Sequence, residues 1–152
     1  MPCFLGIDTS NYTTSTAWTD GKTDINVRQI LYVKDGERGI RQSDGVFQHM
    51  KLMPVMYEKL SEQIDFKDVK AVGVSTRPRC VEGSYMPVFL AGEGYAKVVA
   101  NTLGVPLYEF SHQDGHIMAG IYSSGSFELL ENDFISVHLS GGTTEILKSR
   151  YN

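Results

Sequence analysis

Cysteine is scarce in this sequence, with only Cys3 and Cys80 among 152 residues. The two are far apart and form no CxxC spacing, so they give no sign of a disulfide framework. This usage suits a protein of a reducing compartment. The plainest interpretation of both residues is that they are small, buried and apolar.

Positive charge and long apolar runs are lacking as well. The chain has 14 Lys and Arg against 18 Asp and Glu, a net charge of −4, which gives no support to nucleic-acid binding through a broadly basic surface, although a local basic patch stays open. No apolar run approaches the roughly 18 residues that cross a bilayer. The N-terminus lacks the basic and apolar regions of a signal peptide, so we expect a cytoplasmic protein.

The chain is long enough for one domain with a real core. Three alternating strands are followed by alternating helices and strands, and the chain closes with a strand, a tight turn and a strand. This order predicts an α/β fold in which one mixed sheet, three antiparallel strands followed by parallel ones, carries flanking helices. The predicted strands are 3–9, 12–18, 25–33, 69–75, 105–110, 134–139 and 143–147, and the predicted helices are 46–64, 85–103 and 112–122.

The closing hairpin echoes the opening of the chain, which suggests a duplicated fold. We therefore predict a first lobe over residues 1–131 and, over residues 132–152, the first hairpin of a second lobe that is otherwise missing. An exposed apolar strand tends to pair with another chain. The hairpin thus predicts a homodimer or a swapped assembly.

Two turns with small and hydroxylated residues resemble phosphate-binding loops. Small residues let a polyanion approach backbone N–H groups, and Asp8 can hold Mg²⁺ or its waters. A Gly-Gly-Thr turn is more often just a hairpin, but two related turns favour a nucleotide cleft. The candidate residues are Asp8, Thr9, Ser10 and Asn11 in the first turn and Ser140, Gly141, Gly142 and Thr143 in the second.

A histidine pair lies between these turns. His112 and His116 are four residues apart, so in a helix they share one face and can chelate a transition metal. Ser111 before the pair is a favoured N-cap residue. The alternative is a structural or solvated pair. Gln113 replaces the Glu of a His-Glu-x-x-His peptidase motif, so the built-in general base is absent.

These motifs together resemble the TsaD/Gcp family, formerly described as O-sialoglycoprotein endopeptidases. The resemblance spans essentially the whole chain and matches the N-terminal half of that family. It rests on 5–10 (Leu-Gly-Ile-Asp-Thr-Ser), His49, 72–75 (Val-Gly-Val-Ser), Pro106, His112, His116 and 140–143 (Ser-Gly-Gly-Thr).

The resemblance implies the fold of the actin, sugar-kinase and heat-shock ATPase superfamily, which is ribonuclease-H-like. It implies transfer of a threonylcarbamoyl group to a tRNA adenosine, with zinc or iron on His112 and His116 and with ATP or an adenylate and Mg²⁺ in the cleft. His138 is a possible further metal ligand or a polar-face strand residue. Implied partners are tRNA and TsaB- or TsaE-like proteins. The alternatives are a metal-dependent endopeptidase and a non-catalytic TsaB-like scaffold.

Three departures from the family pattern suggest a divergent paralogue. The family's Gly-Pro-Gly loop is replaced by Arg77-Pro78-Arg79, whose guanidinium groups can bind an anion bidentately or stay solvated. Thr143 stands where the family has His or Asn. Residues 11–13 replace common acidic residues. With half of the cleft missing, we expect the isolated chain to be inactive as an enzyme.

Overall fold

The computed structural model describes residues 2–140 and 143–151, and for Ser140 and Thr143 it describes the backbone only. By internal contacts the chain divides into two compact units, Met1–His112 and Gln113–Asn152. The predicted lobe boundary after residue 131 stays a prediction, because these units are defined by contacts alone. In the described ranges, no helix combines the length and apolar character needed to cross a membrane.

The first unit is built on a five-stranded sheet. Its strands are β1 (Cys3–Asp8), β2 (Thr13–Thr19), β3 (Asp24–Ile30), β4 (Val69–Arg77) and β5 (Leu107–Ser111), in the order β3-β2-β1-β4-β5. The pairs β1–β2 and β2–β3 are antiparallel, while β1–β4 and β4–β5 are parallel. The predicted mixed sheet with an antiparallel meander and parallel strands is therefore confirmed.

Two helices cover this sheet, α1 (Gln42–Ser61) on β2 and β3 and α2 (Phe89–Leu103) chiefly on β4. The core between the sheet and these two helices is apolar, because β1 and β4 direct aliphatic side chains toward the helices. Its buried members are Leu5, Ile7, Met53, Leu60, Val69, Val72, Val74, Ala96 and Ala100.

Both helix starts differ from the predictions. Helix α1 begins four residues earlier than predicted, since Gly45, which precedes the predicted helix, lies inside the helix and packs on Val88. A Cβ on Gly45 would lie 2.8 Å from a Val88 methyl, so this glycine serves close packing. Helix α2 begins four residues later than predicted, after Pro87. Its predicted end is confirmed by Gly104, which is left-handed at φ 67°.

The cysteine interpretation is half right. Cys3 is buried in β1, but Cys80 is exposed in the loop after β4. Its exposure follows from its position, since loops run over the surface.

The second unit contains most of α3 (His112–Ser124), a 3₁₀ turn over Phe127–Glu131, and a hairpin of β6 (Phe134–Ser140) and β7 (Thr143–Ser149). Helix α3 begins at the predicted residue, and the predicted antiparallel hairpin is confirmed, with Val137 opposite Ile146. One hairpin face is exposed, and four of its side chains are large and apolar: Ile135, Val137, Leu139 and Ile146.

Candidate functional site

Asp8 and His112 meet at one edge of the first unit's sheet. Asp8 ends β1, and His112 follows the end of β5. The Nδ1 atom of His112 lies 2.8 Å from Oδ2 of Asp8, and both side chains are half-buried. A carboxylate that accepts the Nδ1–H bond orients the ring and leaves Nε2 as the metal-binding nitrogen, an arrangement common around metal-bound histidines.

The Asp8 carboxylate is held in its ionised form. Burial by itself would raise the pKa of Asp8, but the hydrogen bond and charge of His112 outweigh it. The Ser10 N–H group, 2.7 Å from Oδ1, and the Ser75 hydroxyl add to the effect, and the pKa falls to about 2. The partners of Asp8 among the described residues are thus protein groups, and its predicted role in holding Mg²⁺ stays a prediction.

Thr9 anchors the start of α2. Its hydroxyl donates to the Val88 carbonyl at 2.8 Å and accepts from the Gly92 N–H at 3.0 Å, with Thr9 fully buried. A Cβ on Gly92 would lie 2.8 Å from the Thr9 hydroxyl oxygen, so only glycine allows this approach. Both bonds tie the hydroxyl to the fold, and its predicted nucleotide contact stays a prediction.

Ser10 and Asn11 form the turn into β2. The Ser10 carbonyl accepts from the Thr13 N–H at 3.2 Å, and Asn11 has a positive φ of 27°. Left-handed backbone in a residue other than glycine is uncommon, and asparagine tolerates it best. A local strain of this kind is frequent at ligand-binding turns, and the predicted nucleotide role of these residues stays a prediction.

His49 lies behind this turn on α1, and its side chain is fully buried. Its Nδ1 lies 2.7 Å from the Thr14 hydroxyl oxygen, and its Nε2 has no hydrogen-bond partner among the described residues. Burial lowers the pKa of His49 to about 4, although the Asp8 charge and the Asn11 backbone act in the opposite direction. The sequence marked His49 only by resemblance, because nothing in its spacing identifies Thr14 as its partner.

The second unit has its own polar cluster. His138 on β6 stands directly opposite Glu145 on β7, and its Nδ1 lies 3.7 Å from Oε2 of Glu145. Gln113 on α3 donates to that same Glu145 oxygen at 2.6 Å. The rings of His116 and His138 are 5.5 Å apart. Sequence reasoning missed Glu145, which only the strand register brings beside His138.

The predicted metal ligands are divided between the units. His112 is the last residue of the first unit, whereas His116 and His138 belong to the second. In residues 2–140 and 143–151, no group of three or more His, Cys, Asp or Glu side chains is arranged to hold a metal ion. The donor chemistry fits zinc or iron at the Asp8-supported His112 and at the His116–His138 pair, and the metal site stays a prediction.

The second predicted phosphate turn is only partly described. Ser140 and Thr143 are paired at the end of the hairpin. Gly141 and Gly142 lie outside the described residues. The predicted nucleotide contacts of this turn therefore stay a prediction.

Residues 36–152 match the family model described as TsaD, tRNA N6-adenosine threonylcarbamoyltransferase. A protein of that name from Christiangramia forsetii is 33% identical over 98 residues, covering 64% of this chain and 27% of its own length. One from Pyrobaculum calidifontis is 28% identical over 144 residues, covering 93% of this chain and 40% of its own. The chain thus spans well under half of the curated relatives it matches.

Solved structures resemble the chain in fold. A protein with similarity to peptidase YeaZ from Pseudomonas aeruginosa gives a TM-score of 0.57 at 13% identity, covering 98% of this chain and 65% of that one. YeaZ from the same organism gives 0.53 at 12% identity, with the same coverage. This likeness concerns the fold alone, and it agrees with the predicted α/β fold of a mixed sheet with flanking helices.

Proposed function

The chain belongs to the tRNA N6-adenosine threonylcarbamoyltransferase (TsaD) family, and from that premise we propose that it is a nucleotide- and metal-binding lobe of a transferase acting on adenosine in tRNA. The observation that carries the proposal is the Asp8–His112 pair at the strand ends of the first unit. In open α/β sheets, ligands bind beyond the carboxyl ends of parallel strands.

The chain's own residues prepare this edge for a ligand. Asp8 keeps its negative charge at neutral pH and orients the His112 ring through Nδ1. Thr9 fixes the first turn of α2 next to the same strand end. A preorganised edge of this kind needs no rearrangement when a polar ligand arrives.

A metal would be held by His112, His116 and His138 in this proposal. When bound, it supplies Lewis-acid polarisation of the transferred carbonyl. The Asp8 carboxylate would hold the His112 ring in the tautomer whose Nε2 carries the lone pair. ATP or an adenylate with Mg²⁺ would lie at the turn of Asp8, Thr9, Ser10 and Asn11, and partner proteins of the TsaB and TsaE type would complete the system in the cytoplasm.

A tRNA modification assay tests this function. The chain, a second polypeptide that covers the C-terminal half of a TsaD relative, tRNA, ATP, threonine, bicarbonate and adenylate-forming partner proteins are combined. Threonylcarbamoyl-adenosine is measured by mass spectrometry of digested tRNA. We expect product, at least tenfold less with His112→Ala, and no change with Lys22→Gln. Lys22 is exposed and lies in the β2–β3 turn, at the opposite end of β2 from the turn of Asp8 to Asn11. No product, together with intact binding of the partner proteins, would favour a non-catalytic scaffold and overturn the transferase proposal.

We also propose that two copies of the chain pair through the hairpin. The exposed face of Ile135, Val137, Leu139 and Ile146 is the supporting observation, since the side chains of all four are at least 60% exposed. Contiguous exposed apolar side chains on a two-stranded sheet favour burial against another surface.

A further inference from the structure

Arg77 lies at the sheet edge described above, beside the strands that carry Asp8 and His112. It is the last residue of β4, the strand between β1 and β5. Since β1, β4 and β5 are parallel neighbours, their carboxyl ends share one edge. The first unit alone therefore places Arg77 at the same strand-end edge as the Asp8–His112 pair.

A strand irregularity sets the position of Arg77. Ser75 of β4 pairs with Phe110 of β5, and the next pair is Arg77 with Ser111. Between these two pairs β4 advances by two residues and β5 by only one. Thr76 is thus an extra residue in β4, the pattern of a β-bulge, which changes the direction of the side chains that follow it. Ser75 is buried and bonds Asp8, while the Arg77 side chain is half-buried.

The protein leaves most of the Arg77 guanidinium unused. Its Nη1 donates to the Thr76 hydroxyl at 3.2 Å. Throughout the part of the chain that the structure describes, no carboxylate forms an ion pair with Arg77. The Asp8 carboxylate, at the end of β1, is already engaged by His112 and Ser10.

A guanidinium carries five N–H donors in a planar fork and is always charged. Partial burial removes water from that charge, which is unfavourable unless an anion replaces the water. Carboxylates and phosphates match the fork with two parallel hydrogen bonds. A half-buried arginine without an ion-pair partner among the described residues, at the carboxyl ends of parallel strands, therefore has the chemistry of an oxyanion site.

We propose that Arg77 anchors an oxyanion-binding site at this edge, which takes a carboxylate or phosphate group of a ligand. The proposal rests on the proposed function only for the identity of the molecule that carries the group. The binding itself depends on residues of the first unit alone.

Nuclear magnetic resonance titration of the 152-residue chain tests the site. One arm uses inorganic phosphate and the other uses N-acetyl-threonine, whose only charge is a carboxylate. We expect at least one probe to shift the Arg77 Nε–H signal and the amide signals of residues 75–77, saturably. The arm that saturates at lower concentration identifies the preferred group.

Three variants complete the test. Arg77→Gln removes the charge and should weaken binding at least tenfold, and Arg77→Lys keeps the charge without the fork and should fall between. Arg28→Gln removes an exposed arginine of β3 and should bind as the wild type does. If Arg77→Gln does not fold, the comparison of wild type with Arg77→Lys decides.

The proposal is overturned if neither probe shifts these signals, or if the Arg77 variants that fold bind both probes as tightly as the wild type. Arg77-dependent binding without any tRNA modification would overturn the proposed function and leave this site standing. Intact tRNA modification without Arg77-dependent binding would overturn this site and leave the proposed function standing.

Discussion

The first unit and the hairpin of the second unit use apolar residues in opposite ways. In the first, aliphatic side chains of β1 and β4 are buried beneath two helices. In the hairpin, Val137 and Ile146 face each other across the strands with at least 60% of each side chain exposed. The same alternating pattern can thus make a core or an open surface, depending on whether another element covers it.

The largest expected contrast is between Leu60→Ala and Ile146→Ala. Leu60 is fully buried in the core, so its truncation should lower the free energy of unfolding by about 2–5 kcal/mol. Ile146 is 75% exposed, and its truncation should change that energy by less than about 0.5 kcal/mol. Urea denaturation at low protein concentration measures both. Equal losses would mean that the hairpin face is covered in solution.

The next largest effect is the loss of stability that acid should cause through the buried His49. The unfolded histidine binds its proton near pH 6.5 and the folded one only near 4. Between these values the unfolded state holds more protons, so the stability present above pH 6.5 falls as the pH drops toward 4, by about 2–3 kcal/mol. His49→Gln cannot titrate, and its stability should vary less with pH over that window. An identical pH profile in both proteins would contradict a neutral, buried His49.

The glycines of α2 give a smaller effect with a matched control. Gly92→Ala pushes a Cβ against the Thr9 hydroxyl oxygen, 2.8 Å away, and should destabilise the fold by about 1–2 kcal/mol. Gly94→Ala on the open side of the same helix should stabilise by about 0.5–1 kcal/mol through helix propensity. Thermal unfolding of the two variants separates packing from propensity, and stabilisation by both would refute the Thr9 anchor.

Periodicity was enough to predict the order of strands and helices, since burial on a sheet or a helix face leaves a regular trace in sequence. It failed where one residue type serves two purposes. Glycine is typical of loops, yet Gly45 lies in α1. A glycine is needed there because Val88 comes too close for a side chain. That contact joins residues 43 positions apart, so no local pattern could indicate it.

The candidate site shows the same limit. Asp8 and His112 were each singled out by their local motifs, but their hydrogen bond spans 104 positions and depends on the strand order. The position of Arg77 depends on a bulge, which has no reliable sequence signature. Local chemistry is therefore readable from sequence, while the partners of each group come from topology.

The smallest effect on folding, but the most informative one about the hairpin, is expected from Val137→Lys. A lysine on this exposed face costs little in a single copy, so the unfolding energy should change by less than about 0.5 kcal/mol. Two copies paired through this face would bring two like charges into an apolar contact, which is unfavourable. Light scattering at micromolar concentration should show a dimer for the wild type and for Asn26→Lys, an exposed position on β3, and a monomer for Val137→Lys. A monomeric wild type would show that the exposed face does not pair two copies of this chain. The two regions would then differ in that helices of the same unit cover the first sheet, while only something other than a second copy could cover the hairpin.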